Sequence, residues 1–260
     1  MKKIDKVKKY WDTQPCNIKH SDLPMGTKEY FNAVEKRKYF VESHIPKFAD
    51  FKKWKGKKVL EIGSGIGTDS VNFVRNGADL TIVELSEKSL EITKQRLKLF
   101  KLKAKAMQGN AEELTTLLPK GEKFDLIYSF GVIHHSPDPR KIIEETSKLL
   151  KPKGVLKIML YAKVSTKNFL INLGISQPEA QNNCPIAFTY TKHEVKDLLS
   201  PFYKNISVEK DHIFLYSIPE YKKYIYKRKF IWACLPNFFI KILEKLLGWH
   251  LLISAELNNK

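Results

Sequence analysis

With 260 residues, 43% of them hydrophobic, the chain is long enough to close one sizeable core and too apolar for a disordered polymer. Its three cysteines, Cys16, Cys184 and Cys234, are too few and too widely spaced for a disulfide framework or a zinc or iron–sulfur ligand set, so no metal site is expected. The formal charge of +18 would suit a polyanionic partner, but all but five of the 46 basic residues are lysine. Phosphate and base recognition favours arginine's planar fork, so a solvated lysine-rich surface is the expected reading and nucleic acid the lesser one.

The chain opens on a charged segment, Met1-Lys2-Lys3-Ile4-Asp5, without the apolar stretch of a secretory signal. No apolar run approaches the ~20 residues of a membrane-spanning helix, and a reducing cytoplasm is the expected compartment. After Tyr10-Trp11-Asp12, Thr27 is placed to cap a helix. Tyr30, Phe31, Val34, Phe40, Val41 and Ile45 keep a rough helical period until Pro46 stops it. Residues 1–54 therefore read as an N-terminal helical cap.

Residues 55–161 alternate strand and helix, the pattern of a parallel sheet covered on both sides. Strands are predicted at 58–62, 80–84, 104–108, 126–129 and 155–161. The first runs into Glu61-Ile62-Gly63-Ser64-Gly65-Ile66-Gly67-Thr68-Asp69, in which three alternating glycines precede a helix start. Such a turn lets backbone approach a ligand at a helix N-terminus. Glu84 ends the second strand, 17 residues past Gly67, where an acid can accept hydrogen bonds from two ribose hydroxyls. Together they predict a nucleoside-bearing cofactor. The dinucleotide fingerprint G-x-G-x-x-G needs glycine where this chain has Thr68, which argues against a nicotinamide oxidoreductase. Further on, Asp138 and Pro139 begin a helix that Pro152 follows. Right-handed crossovers gather all of these turns at the carboxyl edge of the sheet.

Residues 162–260 read as completion of the sheet with a substrate-side lid. Residues 162–190 show no clear period, Thr191 caps a helix to Leu199, and 205–216 and 249–257 read as strands. Between those strands lies a long excursion with a basic-aromatic stretch, 221–230, and an amphipathic helix from Asn237 to Leu247 stopped by Gly248. That helix either packs on the sheet with lysines outward, the favoured reading, or rests on an acidic membrane surface.

The glycine turn resembles the first motif of class I S-adenosylmethionine (SAM) dependent methyltransferases. Val83-Glu84-Leu85-Ser86, Gly109-Asn110-Ala111-Glu112-Glu113-Leu114, the run Phe124 to His135, and Leu150-Lys151-Pro152-Lys153-Gly154 are similar to later family motifs in order and spacing. The core most resembles the methyltransferase type 11 group. The resemblance implies a Rossmann-like α/β fold: a seven-stranded, mostly parallel sheet with helices on both faces, an N-terminal cap and a helical insertion between the sixth and seventh strands. It implies SAM as cofactor. Glu61, Gly63, Ser64, Gly65, Gly67, Thr68 and Asp69 would border its methionine and ribose parts. Glu84 would hold the ribose, Leu85, Asn110 and Ala111 the adenine, and Ser129 and Phe130 the methionine end. His134 and His135 are candidates for the base that takes the acceptor's proton, with cofactor orientation or packing as the alternative for either ring. The activity implied is methyl transfer to an oxygen or activated carbon of a small aromatic or lipophilic molecule. An RNA methyltransferase and a non-catalytic SAM-binding protein docked on a membrane are the alternatives.

Overall fold

The computed structural model describes residues 2–176 and 183–258. One mixed sheet forms its centre, built from β1 (Lys58–Ile62), β2 (Asp79–Glu84), β3 (Lys105–Gln108), β4 (Phe124–Phe130), β5 (Leu150–Ala162), β6 (Thr189–Tyr190), β7 (Tyr203–Asp211) and β8 (His250–Leu257). The order across it is β3-β2-β1-β4-β5-β8-β7, with β6 paired to the end of β5. β8 runs antiparallel to both its neighbours, and the other pairings are parallel.

Alternation along the strands divides the core between two faces. Val59, Leu80, Ile82, Leu126 and Tyr128 face one side and pack against Val71 and Phe73 of helix Thr68–Arg75 and Leu97 of helix Glu87–Leu99. Leu60, Ile62, Ile127, Leu156 and Ile158 face the other, under Ile142 and Ile143 of helix Pro139–Leu149 and Val195 and Leu199 of helix Lys192–Leu199. Each fully buried side chain of this size contributes roughly 1.5–3 kcal/mol. The first connecting helices therefore cover one face and the later ones the other, and every β-to-helix turn of the parallel half opens at one rim.

Several expectations are corrected in detail. The sheet has eight strands, because Thr189–Tyr190 adds a two-residue one, so the helical insertion falls between β7 and β8. The strand expected at 205–216 starts at Tyr203 and ends at Asp211, where His212 takes φ +70° and turns the chain away. The cap helix Lys28–Val41 ends at Val41 rather than at Pro46. Pro46 sits instead in the first turn of a second helix, His44–Ala49, where its missing N–H leaves no bond unmade. A helix at Thr166–Asn172 lies in the segment that showed no period; residues 177–182 of that segment lie outside the described residues. The amphipathic helix is Asn237–Leu247 as predicted, but only Ile240 and Glu244 are buried. Phe238, Phe239, Ile242 and Leu246 are exposed, so the helix meets β7 with only part of its apolar face and leaves the rest uncovered.

Candidate functional site

Gly63 ends β1 at φ +76°, and a Cβ there would lie 2.3 Å from the Val132 side chain. Gly67 takes φ +74° as the residue before helix Thr68–Arg75, and a Cβ on it would press on Thr93 at 3.0 Å. Only glycine lets the turn run this close to the β4 loop and to the next helix. Inside the turn, the Gly65 N–H donates to Glu84 Oε2 at 3.0 Å, while the Ser86 N–H donates to Oε1 at 2.9 Å. Burial raises the Glu84 pKa and these backbone donors oppose that rise. A carboxylate has further lone pairs to offer, and Glu84 lines the cavity that opens here.

Two more acids meet beneath the turn. Glu61, buried at the end of β1, accepts a hydrogen bond from Ser70 Oγ at 2.5 Å. Burial and then the charge of Asp69 push its pKa up to about 8. Asp69 is a hub: Lys38 Nζ and Tyr39 OH each donate to Oδ1 at 2.9 Å, and Tyr128 OH donates to Oδ2 at 2.9 Å. Arg96, fully buried, joins the same turn to the cap by donating to Thr68 Oγ1 at 2.6 Å and the Phe31 carbonyl at 3.1 Å.

The cavity runs along the rim. Glu61, Gly63, Ser64, Gly65, Thr68, Asp69, Glu84, Leu85, Asn110 and Ala111 line one part of it, and Phe130 and His135 the other. Asn110 Oδ1 accepts the Glu112 N–H at 3.1 Å, so the side chain also caps the turn that follows β3. Three of the named residues lie elsewhere. Gly67 shapes the helix entry, Ser129 donates to the Ile62 carbonyl at 3.0 Å within the sheet, and His134 is fully buried against the Tyr161 ring at 3.8 Å. Burial and the neighbouring His135 hold the His134 ring far below its usual pKa. His135 faces the cavity with Nδ1 donating to the Ile186 carbonyl at 2.5 Å, which makes Nε2 the acceptor of the neutral ring. The Trp11 ring approaches it edge-on at 5.2 Å.

Other cavity residues carry no motif. Ile4, Val7 and Trp11 of helix Lys3–Thr13 roof the cavity. That helix is held down where Ser86 Oγ donates to Asp12 Oδ1 at 2.8 Å. The spacing Ile4-Val7-Trp11 was the available signal, hidden among lysines. Lys38, Glu42, Met159, Tyr161 and His250 close the end beyond Phe130. His250 carries no sequence signal at all, because it meets the site only when β8 pairs with β5. Beside the cavity, His212 stacks on His250 at 4.6 Å, and Tyr30 OH donates to the Ile18 carbonyl at 2.6 Å within the cap.

A doubly wound sheet with a glycine-lined cavity along its carboxyl rim defines a nucleotide-binding type of α/β protein. Residues 53–211 match a family model described as "Methyltransferase domain". The chain belongs to that family of methyltransferase domains. It is 32% identical over 121 residues to the ubiquinone biosynthesis O-methyltransferase of Haemophilus ducreyi, covering 46% of this chain and 51% of that one. It is 35% identical over 103 residues to the protein of the same name from Actinobacillus pleuropneumoniae, covering 39% and 44%. The match spans about half the length of these curated relatives. Among solved structures, the magnesium protoporphyrin IX methyltransferase of Synechocystis PCC 6803 with bound SAH, the demethylated cofactor, superposes with a TM-score of 0.61 over 98% of this chain and 99% of that one, at 14% identity.

Proposed function

We propose that this protein transfers a methyl group from SAM to a hydroxyl oxygen of a small aromatic or lipophilic molecule. The observation that carries the reading is the cavity itself. One part offers the glycine turn and Glu84, and the same space continues into a wall of Trp11, Phe130, His135, Met159, Tyr161 and His250. SAM, when bound, supplies an activated methyl group on a sulfonium. The residues suit it: burial and the charge of Asp69 raise the Glu61 pKa to about 8, and an α-ammonium group beside it would supply a positive charge. Glu84 accepts the ribose hydroxyls, Asn110 and Leu85 hold the adenine, and the glycine backbone borders the methionine portion.

The chain's own work is orientation and proton handling. Aligning acceptor and methyl donor in a space closed by the cap contributes on the order of 7–11 kcal/mol to such a reaction. His135, in the tautomer its Ile186 bond selects, receives the acceptor's proton at Nε2. The O-methyltransferase names of the partial relatives support oxygen as the acceptor atom. Labelled SAM offered with a panel of phenols and catechols should yield methyl ethers. His135→Ala should cut kcat about 10²–10⁴-fold with little change in SAH affinity. An equal loss in both would reassign the ring to cofactor positioning, and label transferred only to RNA would overturn the acceptor class.

A second reading concerns where the protein works. Exposed Phe169, Phe238, Phe239 and Leu246 lie on helices that meet where Thr166 Oγ1 donates to the Leu247 carbonyl, and exposed Leu173 follows the first of them. Lys163, Lys227, Lys241 and Lys245 stand exposed nearby in the chain. Apolar side chains among lysines suit the cytoplasmic, anionic face of a membrane, where a lipophilic acceptor would be met. No helix among the described residues is long and apolar enough to cross a membrane.

A further inference from the structure

The cavity ends beyond Phe130 against side chains drawn from three distant parts of the chain. Glu42 follows helix Lys28–Val41, His44 opens helix His44–Ala49, and His250 opens β8. Imidazole nitrogens of His44 and His250 and a carboxylate oxygen of Glu42 all lie within 4.8 Å of one another. Glu42 and His250 face the cavity, and His44 is buried behind them. We propose that Glu42, His44 and His250 bind a divalent first-row transition-metal ion at the acceptor end of the cavity.

The geometry within the cluster carries the argument. His44 Nε2 and His250 Nδ1 are 3.0 Å apart. With metal–nitrogen bonds of about 2.1 Å, two nitrogens at that separation subtend roughly 90° at a shared ion, the angle between adjacent octahedral positions. Two imidazoles and one carboxylate make a facial set that leaves other positions open, and here the cavity lies on the open side. A hydrogen bond between the rings also accounts for 3.0 Å, and Glu42 Oε1 then stands 3.8 Å from the outer Nε2 of His250, so the titration below decides between the two.

Outer contacts fit ligation as well. Asp211 Oδ1 stands 3.7 Å from His44 Nδ1, the nitrogen left over when Nε2 ligates. Metal-bound histidines commonly direct that second nitrogen to a carboxylate, which fixes tautomer and ring orientation. The His250 ring is held by His212 stacked at 4.6 Å and by Phe130 edge-on at 5.6 Å. Resting on the methyl-transfer reading, an ion here would draw an acceptor hydroxyl to this end of the cavity and lower its pKa.

The test is calorimetric titration of the full-length protein, stripped with chelator, with ZnCl2 and CoCl2. The cobalt titration is also followed by visible absorption. One ion per chain is expected, with cobalt bands of a mixed nitrogen–oxygen site. Glu42→Gln and His250→Asn should each weaken binding at least about tenfold. His193→Ala, which removes the exposed His193–Asp197 pair, should leave binding unchanged. Absence of saturable binding overturns the site and leaves a hydrogen-bonded histidine pair. Wild-type binding that survives both substitutions overturns it too, as an ion held elsewhere. Should His250→Asn fail to fold by circular dichroism, Glu42→Gln, at a helix end and only half-buried, decides alone. SAH calorimetry on the same samples separates the two ideas. Retained SAH binding without a metal site sinks this proposal only, and metal binding without SAH binding sinks the methyl-transfer reading only.

Discussion

Under the proposed function, a single side chain, Glu61, reports the cofactor's charge. Its carboxyl is pushed up to about 8 by burial and by Asp69, so the cofactor-free protein holds it largely protonated at neutral pH. If it pairs with the ammonium of a bound methionine moiety, it must give up that proton on binding. SAH affinity should therefore fall as pH drops below about 8, approaching tenfold per unit. Glu61→Gln should flatten this profile, and a profile unchanged by the substitution would remove the ammonium from Glu61. At this scale the sequence was informative where chemistry is local. The glycines and Glu84 announce themselves by spacing along one βαβ unit, and they line one cavity. Ser129 and His134 follow the same motif logic, but alternation along β4 and the tight turn after it send them into the sheet and under Tyr161. Glu42, His44 and His250 had no legible pattern, since the contact between the two histidines spans 206 positions.

Among the elements, the parallel half of the sheet was readable because each strand is a short apolar run bounded by turn residues. Thr27, Asp138 and Thr191 all cap helices where expected, accepting from the N–H three residues on. Helix Lys3–Thr13 was obscured because lysines interrupt its apolar stripe, although that stripe closes the cavity. Helix Asn237–Leu247 gave the opposite difficulty. Its periodicity was plain, but periodicity does not say what covers the apolar face. The exposed Phe238 and Phe239, at 66% and 50%, belong to that face. Replacing both by serine should lower partition onto anionic phospholipid vesicles at least about tenfold, from the loss of two buried aromatic side chains. Stability should move within about 0.5 kcal/mol, since neither ring packs in the core. Co-sedimentation assays check the first and thermal melts the second. A wild-type protein that ignores the vesicles, or a variant that binds them equally, would contradict the membrane reading.

Across the whole molecule, the two ends of the chain converge on the site that the middle defines. The N-terminal segment supplies the roof and, through Arg96, is tied to the glycine turn itself. From the other side, Arg37 of the cap lies over the Tyr221 ring at 3.9 Å and the Tyr224 ring at 4.4 Å and donates to the Tyr221 carbonyl at 2.7 Å. Cap and C-terminal excursion are thereby joined. The family motifs line one part of the cavity, and the other part is assembled from residues far apart in sequence. That division explains why the cofactor was legible and the acceptor was not.

The most direct test is calorimetric titration of SAH into the wild-type protein and into Glu84→Ala, with circular dichroism to check that the variant keeps its fold. Saturable binding to the wild type, weakened at least about tenfold when the buried carboxylate is removed, is the predicted result. A wild-type protein that binds neither SAH nor SAM but takes up NADH, or a variant of undiminished affinity, would contradict it.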